Sequence, residues 1–106
     1  MEPRSYLFVP GDRPARFGKA LASGADVVVL DLEDAVAEAA KSVARQAIAE
    51  AVRAMPATEA ARIAVRINAA GSPEHEQDLR MVRALPLAAV MLPKAENAAA
   101  LAALHQ

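Results

Sequence analysis

The 106-residue sequence contains no cysteine and has no excess of charge of either sign. Without cysteine there is neither a disulfide framework nor a thiolate metal site, so a reducing compartment is permitted and the cytoplasm is the default expectation. The formal net charge is -1, which leaves no basic excess to displace counterions from a phosphate backbone. We therefore expect no general affinity for nucleic acid or for anionic membranes.

Long hydrophobic runs are also missing. The apolar run near the N-terminus ends at Pro10, too early for a signal sequence or a membrane span, so no export is predicted. The sequence does have 55% hydrophobic and 24% charged residues, a balance typical of a globular domain. No low-complexity linker interrupts it, so residues 1–106 are predicted to be one domain or part of one.

Four short apolar runs predict strands that are buried on both faces, as in a parallel sheet. They are residues 5–9, 27–32, 63–67 and 89–92. Alanine-rich stretches with helical spacing follow them at residues 15–23, 39–55, 74–85 and 98–104. The predicted order is therefore βαβαβαβα, an α/β fold.

Proline, glycine and capping residues mark the ends of the predicted helices. Pro14 suits the first turn of the first helix, and Gly24 suits its exit. Pro56 is expected to end the second helix. Ser72 is expected to cap the third helix, and Asn97 could cap the fourth.

Alternating strands and helices fit either a doubly wound sheet or a (βα)8 barrel. On the second predicted strand Asp31 shares a face with Val29, and on the third Arg66 shares a face with Ala64. One face of each strand thus turns polar toward its C-terminal end, as in a barrel whose core rises into a polar site. The first βα loop, residues 10–14, lacks the spaced glycines of a dinucleotide fingerprint, which disfavours the doubly wound alternative.

Four βα units make only half of a barrel. The predicted fold is therefore the N-terminal half of a (βα)8 TIM barrel. A half barrel exposes its inner face and two sheet edges, so we expect the chain either to be a fragment or to pair with another chain.

Charged residues lie at the C-terminal end of every predicted strand. They are Asp12 and Arg13; Asp31, Glu33 and Asp34; Arg66, with Asn68; and Lys94 and Glu96. Loops favour charge in any protein, but Asp31 and Arg66 lie within apolar runs, where an unpaired charge is costly. A functional site at this end of the sheet is the better interpretation.

The acidic cluster of Asp31, Glu33 and Asp34 has two possible uses. Carboxylates suit Mg²⁺ or the waters around it, and they could equally form structural pairs with Arg66 or Lys94. Arg66 itself has a planar fork suited to a substrate carboxylate, to an enolate oxygen or to a structural ion pair.

Arg13 and Lys19 flank the start of the first predicted helix, where free backbone N–H groups favour an anion. A phosphate could bind there. Solvated surface charge is the commoner state of such residues.

Four segments carry a specific pattern: RSYLFVPGDRPARFGKAL (4–21), GADVVVLDLEDAV (24–36), RIAVRINAAGSPEHEQDL (62–79) and VMLPKAEN (90–97). In this order and spacing they resemble the opening of citrate lyase β-subunits and malyl-CoA lyases, in the HpcH/HpaI aldolase superfamily. The DLEDAV segment and the LFVPGDRPAR opening favour the branch that acts on CoA esters.

The resemblance implies a Mg²⁺-dependent carbon–carbon lyase acting on a CoA thioester of the citryl-CoA, malyl-CoA or citramalyl-CoA type. The implied products are acetyl-CoA or propionyl-CoA and a keto acid or glyoxylate. The resemblance also implies that the complete protein is a homo-oligomer. The family's two direct carboxylate ligands of the metal belong to later strands, so we expect this chain alone to be inactive.

The resemblance also implies a role for particular residues. Arg66 would contact the substrate carboxylate and stabilise the enolate, while Phe8, Arg13 and Lys19 would meet the CoA nucleotide and phosphates. Asp31, Glu33 and Asp34 would surround the metal without ligating it directly, supported by Lys94 and Glu96.

Two other functions remain open. The chain could be a noncatalytic half barrel that binds a CoA-like ligand or assembles with a complementary chain. It could also belong to an aldolase of free hydroxy-keto acids, which the CoA-type first loop disfavours.

Overall fold

The computed structural model describes residues 5–93, which contain a four-stranded parallel sheet flanked by helices. The strands are β1 (Tyr6–Pro10), β2 (Val27–Asp31), β3 (Ile63–Arg66) and β4 (Ala89–Met91). Each strand pairs in parallel with the next one along the chain, in the order β1-β2-β3-β4. This order suits a barrel wall, because a doubly wound sheet reverses its strand order at a switch point. The four predicted strands are confirmed to within two residues.

The helices are shorter than the sequence predicts. They are α1 (Phe17–Ala22), α2 (Lys41–Ala54), α3 (Ala57–Ala60) and α4 (His75–Arg83). The predicted first and second helices each begin with a separate 3-10 turn, Pro14–Arg16 and Glu38–Ala40. Proline at the start of the first turn fits its missing N–H.

Of the two helix boundaries predicted from Pro56 and Ser72, the first is confirmed and the second is wrong. Pro56 follows α2 as expected, but its carbonyl also accepts the N–H groups of Glu59 and Ala60 and so begins the unpredicted α3. Ser72 is not the cap of α4, because the helix begins at His75 and the Ser72 carbonyl accepts that residue's N–H in a preceding turn. The Ser72 hydroxyl has no hydrogen-bond partner among the described residues.

One face of the sheet packs against the helices and forms the apolar core. The core residues on the strands or directly after them are Val9, Val28, Leu30, Leu32, Ile63, Val65, Ile67 and Val90. The helices contribute Phe17, Ala20 and Leu21 from α1, Ala44, Ile48 and Val52 from α2, and Val82 from α4. The i, i+4, i+8 spacing on α2 places its three residues on one face. Strand residues of the opposite parity face away from the helices.

Some sequence predictions fall outside residues 5–93. These are Lys94, Glu96, the Asn97 cap and the helix at residues 98–104. Within residues 5–93, none of the helices is long and apolar enough to span a bilayer.

Candidate active site

Side chains on the face turned away from the helices line up in rows across the strands. Phe8, Val29, Ala64 and Ala89 occupy matching positions in β1 to β4. Two residues further along, the row is Pro10, Asp31, Arg66 and Met91. The face therefore changes from apolar to charged at the carboxyl ends of the strands, as the alternation in the sequence predicts.

Asp31 and Arg66 form a bidentate ion pair between neighbouring strands. The Nε and Nη2 atoms of Arg66 lie 2.8 Å from the two carboxylate oxygens of Asp31. The backbone N–H groups of Glu33 and Ala35 also donate to these oxygens, each at 2.9 Å. Each carboxylate oxygen thus accepts two hydrogen bonds, so Asp31 has no lone pair left for a metal ion.

The surroundings of Asp31 favour its charged form. The side chain is 1% exposed, and burial alone would raise its pKa. The hydrogen bonds from Arg66 and the two backbone N–H groups, with the charge of the guanidinium, outweigh burial and hold the pKa of Asp31 below its ordinary value. The same hydrogen bond and charge raise the pKa of Arg66, which stays cationic.

Arg66 keeps part of its hydrogen-bonding capacity. Its guanidinium has five N–H donors, of which Asp31 uses two. It makes no other hydrogen bond to a residue of the described segment. The centroid of the Phe8 ring lies 5.2 Å from the guanidinium carbon, within cation–π range. Asp31 thus fixes one edge of Arg66, and the N–H groups that no described residue binds have a geometry suited to a carboxylate.

The rest of the acidic cluster lies beside this pair. Glu33 Oε1 is 3.7 Å from Arg66 Nε, while Asp34 is exposed. Partial burial raises the pKa of Glu33, and the neighbouring Asp34 carboxylate raises it further against the opposing charge of Arg66. Two carboxylates of like charge therefore lie together where they could accept hydrogen bonds from the waters around a cation.

The described residues do not form a complete metal site by themselves. No group of three or more His, Asp or Glu side chains within residues 5–93 is arranged to hold a metal ion. Asp31 is saturated by its four donors, which leaves Glu33 and Asp34. These two fit a position around the waters of a bound Mg²⁺ better than they fit a set of direct ligands.

Phe8 and Lys19 lie on a shared groove beside β1. The groove has a volume of about 380 Å³ and is also lined by Leu7 and Arg16. Lys19 and Arg16 therefore place two cations near the Phe8 ring. Arg16 was missed at the sequence level, where nothing distinguishes it from Arg13.

Fewer backbone N–H groups are available to an anion before α1 than the sequence predicts. Arg13 is exposed, and its N–H donates to the Pro10 carbonyl at 3.0 Å. The N–H of Arg16 donates to the Arg13 carbonyl at 2.9 Å. Any phosphate contact here must therefore come mainly from side chains.

A set of buried polar residues lies behind the site, and sequence reasoning noted Asn68 but missed Lys41 and Asp78. Besides Asp31, the buried polar side chains of residues 5–93 are Lys41, Asn68 and Asp78. All three hydrogen-bond at the carboxyl ends of β2 and β3. Lys41 and Asp78 lie on the buried faces of α2 and α4, but charged residues are rarely buried, so their residue types predict exposure.

The comparisons with known proteins agree with this architecture. The family model described as HpcH/HpaI aldolase/citrate lyase matches residues 4–106. The citrate lyase subunit beta-like protein of Mycobacterium tuberculosis is 51% identical over 94 residues, which are 89% of this chain and 32% of that protein. An L-malyl-CoA/beta-methylmalyl-CoA lyase of Cereibacter sphaeroides is 46% identical over 76 residues, 72% of this chain and 24% of that protein. The chain therefore spans about a third or less of the length of these curated relatives.

A solved structure shows the same fold. The crystal structure of CitE from Mycobacterium tuberculosis, in complex with magnesium, acetoacetate and coenzyme A, superposes with a TM-score of 0.75 at 46% identity. The match covers 96% of this chain and 36% of that one. The predicted α/β fold, four strands of a TIM-barrel wall, is confirmed. By sequence and by structure, the chain belongs to the HpcH/HpaI aldolase/citrate lyase family.

Proposed function

We propose that this chain is part of a Mg²⁺-dependent carbon–carbon lyase acting on a CoA thioester, and that it supplies the substrate arginine and part of the CoA entrance. The observation that carries the proposal is the guanidinium of Arg66, which Asp31 holds through two donors at the strand ends. A substrate carboxylate matches the remaining donors in charge and in planar geometry.

The names of the relatives support the class of substrate. One relative is a lyase of L-malyl-CoA and beta-methylmalyl-CoA, and the CitE structure holds magnesium, acetoacetate and coenzyme A. A keto acid and a CoA ester are the products that cleavage of such a thioester would release. We therefore propose a substrate of the citryl-CoA, malyl-CoA or citramalyl-CoA type, with a keto acid or glyoxylate as the second product.

In this proposal the residues of the chain mainly hold and orient charge. Arg66 binds the substrate carboxylate and stabilises negative charge as it develops on the enolate oxygen. Because Asp31 already fixes the guanidinium, little reorganisation is needed during the reaction. The Phe8 ring covers part of the same guanidinium and so restricts access of water to it.

Mg²⁺, when bound, would polarise the substrate hydroxyl oxygen that becomes the keto oxygen of the product. Glu33 and Asp34 would accept hydrogen bonds from its waters, while Asp31 acts through Arg66. We propose that the direct carboxylate ligands belong to later strands of a longer protein. Lys94 and Glu96 are proposed to support this network.

The CoA part of the substrate is proposed to enter along the groove beside β1. Lys19 and Arg16 line this groove together with Phe8, which could pack against the nucleotide. Arg13 is exposed close by in the same loop and could reach a phosphate. These cations would supply binding energy remote from the bond that breaks.

Other features of the protein stay predictions. They are a homo-oligomeric complete protein, a cytoplasmic location, and the lack of nucleic-acid or membrane partners. A noncatalytic half barrel that binds a CoA-like ligand or assembles with a complementary chain is the second candidate. An aldolase of free hydroxy-keto acids is the alternative enzyme.

The proposed function is tested by assaying the complete protein with citryl-CoA, malyl-CoA and citramalyl-CoA. We expect cleavage of at least one thioester, loss of activity with EDTA and recovery with Mg²⁺. Parallel assays use the corresponding free hydroxy-keto acids. Turnover of a free acid alone would establish the aldolase, and no turnover of any substrate would favour the noncatalytic module.

A further inference from the structure

The polar side chains buried in residues 5–93 are gathered at one end of the sheet. Asp31, Lys41, Asn68 and Asp78 are each at most 5% exposed. Burying a polar group is costly unless hydrogen bonds compensate it. An apolar core would be the simpler solution at these positions, so the cluster calls for an explanation beyond stability.

Lys41 is the least expected member of this cluster. It is the first residue of α2, where a cation opposes the helix dipole. Its ammonium donates to the carbonyls of Leu32 and Glu33 at 2.7 and 2.8 Å. It makes no ion pair with a carboxylate of the described segment. Lys41 therefore binds the backbone that directly follows Asp31.

Two further contacts hold the same stretch of backbone. The side-chain amide of Asn68 donates to the Leu32 carbonyl at 3.0 Å, so that oxygen accepts two hydrogen bonds. The Leu32 N–H donates to the Arg66 carbonyl at 2.9 Å. The peptide after β2 is thus tied both to α2 and to the end of β3.

Hydrogen bonds between the end of β3 and helix α4 complete this network. Asp78 Oδ2 accepts the backbone N–H and the side-chain amide of Asn68 at 2.9 and 2.7 Å. Asp78 Oδ1 accepts a hydrogen bond from Arg45 at 3.0 Å. Arg45 lies one turn after Lys41 on α2. Lys41, Asn68, Asp78 and Arg45 thus join two strand ends to two helices.

We propose that Lys41 is a positioning residue that holds the loop after β2, so that Glu33 and Ala35 keep their N–H groups on Asp31 and Asp31 keeps Arg66 in place. Its effect on catalysis rests on the proposed lyase function, whereas its effect on the loop does not. Lys41 acts through Asp31 and Arg66 and touches no substrate.

Arg62 provides a matched control at the other end of the sheet. Its Nη2 atom donates to the carbonyls of Leu21 and Ala25 at 3.0 and 2.6 Å. It is therefore also a cation that bridges two backbone carbonyls. Arg62 precedes β3, far along the strand from the Asp31 and Arg66 pair, so its loss should affect stability and not the site.

The test compares Lys41→Met with Arg62→Met in the complete protein, by steady-state kinetics and by hydrogen exchange with mass spectrometry. In Lys41→Met we expect kcat to fall by roughly 10- to 100-fold, the range for residues that orient catalytic groups. Exchange should become faster in a peptide that covers Glu33 and Ala35. Arg62→Met should lower the melting temperature and speed exchange near residues 21–26, with kcat within about twofold of wild type.

Lys41→Gln guards against misfolding of the methionine variant, because its neutral amide can still donate to one carbonyl. We expect it to fold, with a smaller loss of kcat. Unchanged exchange around Glu33 in either folded variant would overturn the proposal. So would faster exchange together with wild-type kcat, because Lys41 would then stabilise the loop without affecting the site. If the wild-type protein turns over no thioester, the lyase function fails, and the exchange data alone decide whether Lys41 holds the loop.

Discussion

The Asp31 carboxylate accepts two hydrogen bonds from Arg66 and two from the backbone. All four hydrogen-bonding positions of the carboxylate are therefore occupied, two of them by the guanidinium that it orients. This removes Asp31 from the candidate metal ligands. The sequence left two interpretations of this acidic cluster open. Asp31 forms the ion pair with Arg66, and hydrogen bonding of Glu33 and Asp34 to metal-bound water stays a prediction.

The Asp31 and Arg66 pair should make stability depend on pH. The pKa of Asp31 lies below its ordinary value of 3.8, so the pair's contribution is complete above that pH and is lost as the pH falls through the lower folded value. In Arg66→Gln burial remains without the guanidinium, so the pKa of Asp31 should rise. The difference in unfolding free energy between wild type and Arg66→Gln should be full at neutral pH. It should close progressively as the pH falls toward and below 3.8.

Chemical denaturation at a series of pH values measures this difference. Arg53→Gln, an exposed arginine on α2, is the control for loss of one positive charge. A difference for Arg66→Gln that does not vary with pH would show that the ion pair contributes nothing through its charge.

The proposed CoA entrance can be tested by replacing Arg13 and Lys19. Replacing both with Gln should raise KM for the thioester and leave kcat nearly unchanged, because their contacts lie far from the bond that breaks. The measurement is a steady-state titration of the complete protein at low ionic strength, where screening is weak. Arg53→Gln combined with Arg80→Gln is the matched control, since both residues are exposed on the outer helices. An unchanged KM would identify Arg13 and Lys19 as solvated surface charges.

The buried polar residues at the strand ends were noticed in the sequence where they lie on strands, and were missed where they lie on helices. Asp31 and Arg66 stand out because a charge within a strand buried on both faces is rare. Lys41 and Asp78 lie on helices, where charge is common and burial depends on which strand end the helix meets. Helical spacing does place Lys41 with Ala44 and Ile48, and Asp78 with Val82, on the buried faces. The residue types, however, predict exposure at these positions.

At the scale of elements, the loop between β1 and α1 packs closely against the end of β2. The N–H of Gly11 donates to the Asp31 carbonyl at 2.8 Å. A Cβ atom at Gly11 would lie 2.7 Å from that carbonyl oxygen and 2.9 Å from the Ile48 Cδ1 atom. Only glycine therefore lets this loop approach both β2 and α2.

Gly11→Ala should destabilise the protein by about 1–3 kcal/mol, the usual cost of overpacking. Gly18→Ala is the control, because nothing lies within 4 Å of its Cβ position. Gly18 lies in α1, so its replacement should be neutral or stabilising by up to about 1 kcal/mol. Denaturant midpoints of the two variants measure the difference. Equal stability of both would mean that the Gly11 contact does not constrain the loop.

The four strands and the helices α1, α2 and α4 were predicted from the sequence, but their ends were predicted only in part. Strand positions were set by apolar runs and agree to within two residues. The 3-10 turns before α1 and α2 and the short α3 depend on individual backbone hydrogen bonds. Apolar spacing does not report such bonds, so the predicted helices were too long.

At the scale of the whole molecule, the sheet of residues 5–93 has two unpaired edges, β1 and β4. Tyr6, Leu7 and Phe8 on the β1 edge are 44%, 38% and 45% exposed. Exposed apolar residues on an edge strand favour association with further chain. This surface accords with the proposal that the chain is part of a larger barrel.

The 106-residue chain alone should neither cleave a CoA thioester nor bind Mg²⁺ tightly. Mg²⁺ needs near-octahedral oxygen ligation, and residues 5–93 contain no cluster of three suitable side chains. An open half barrel also leaves water in contact with a substrate bound at Arg66, which weakens the effect of the guanidinium charge. Titration calorimetry with Mg²⁺ and a lyase assay on the mass-verified chain would measure both. Tight binding or turnover would mean that Glu33, Asp34 or Glu96 ligates the metal directly in a self-associated site.

The central claim is that Arg66 binds the substrate, and the kcat/KM of Arg66→Ala in the complete protein tests it most directly. Loss of a preorganised charged donor should lower kcat/KM by roughly 100-fold or more. Arg66→Lys should not restore it fully, because lysine cannot keep the bidentate bond to Asp31 and also present a planar edge to the substrate. Values near wild type for both variants would contradict the account and leave Arg66 as a structural ion pair.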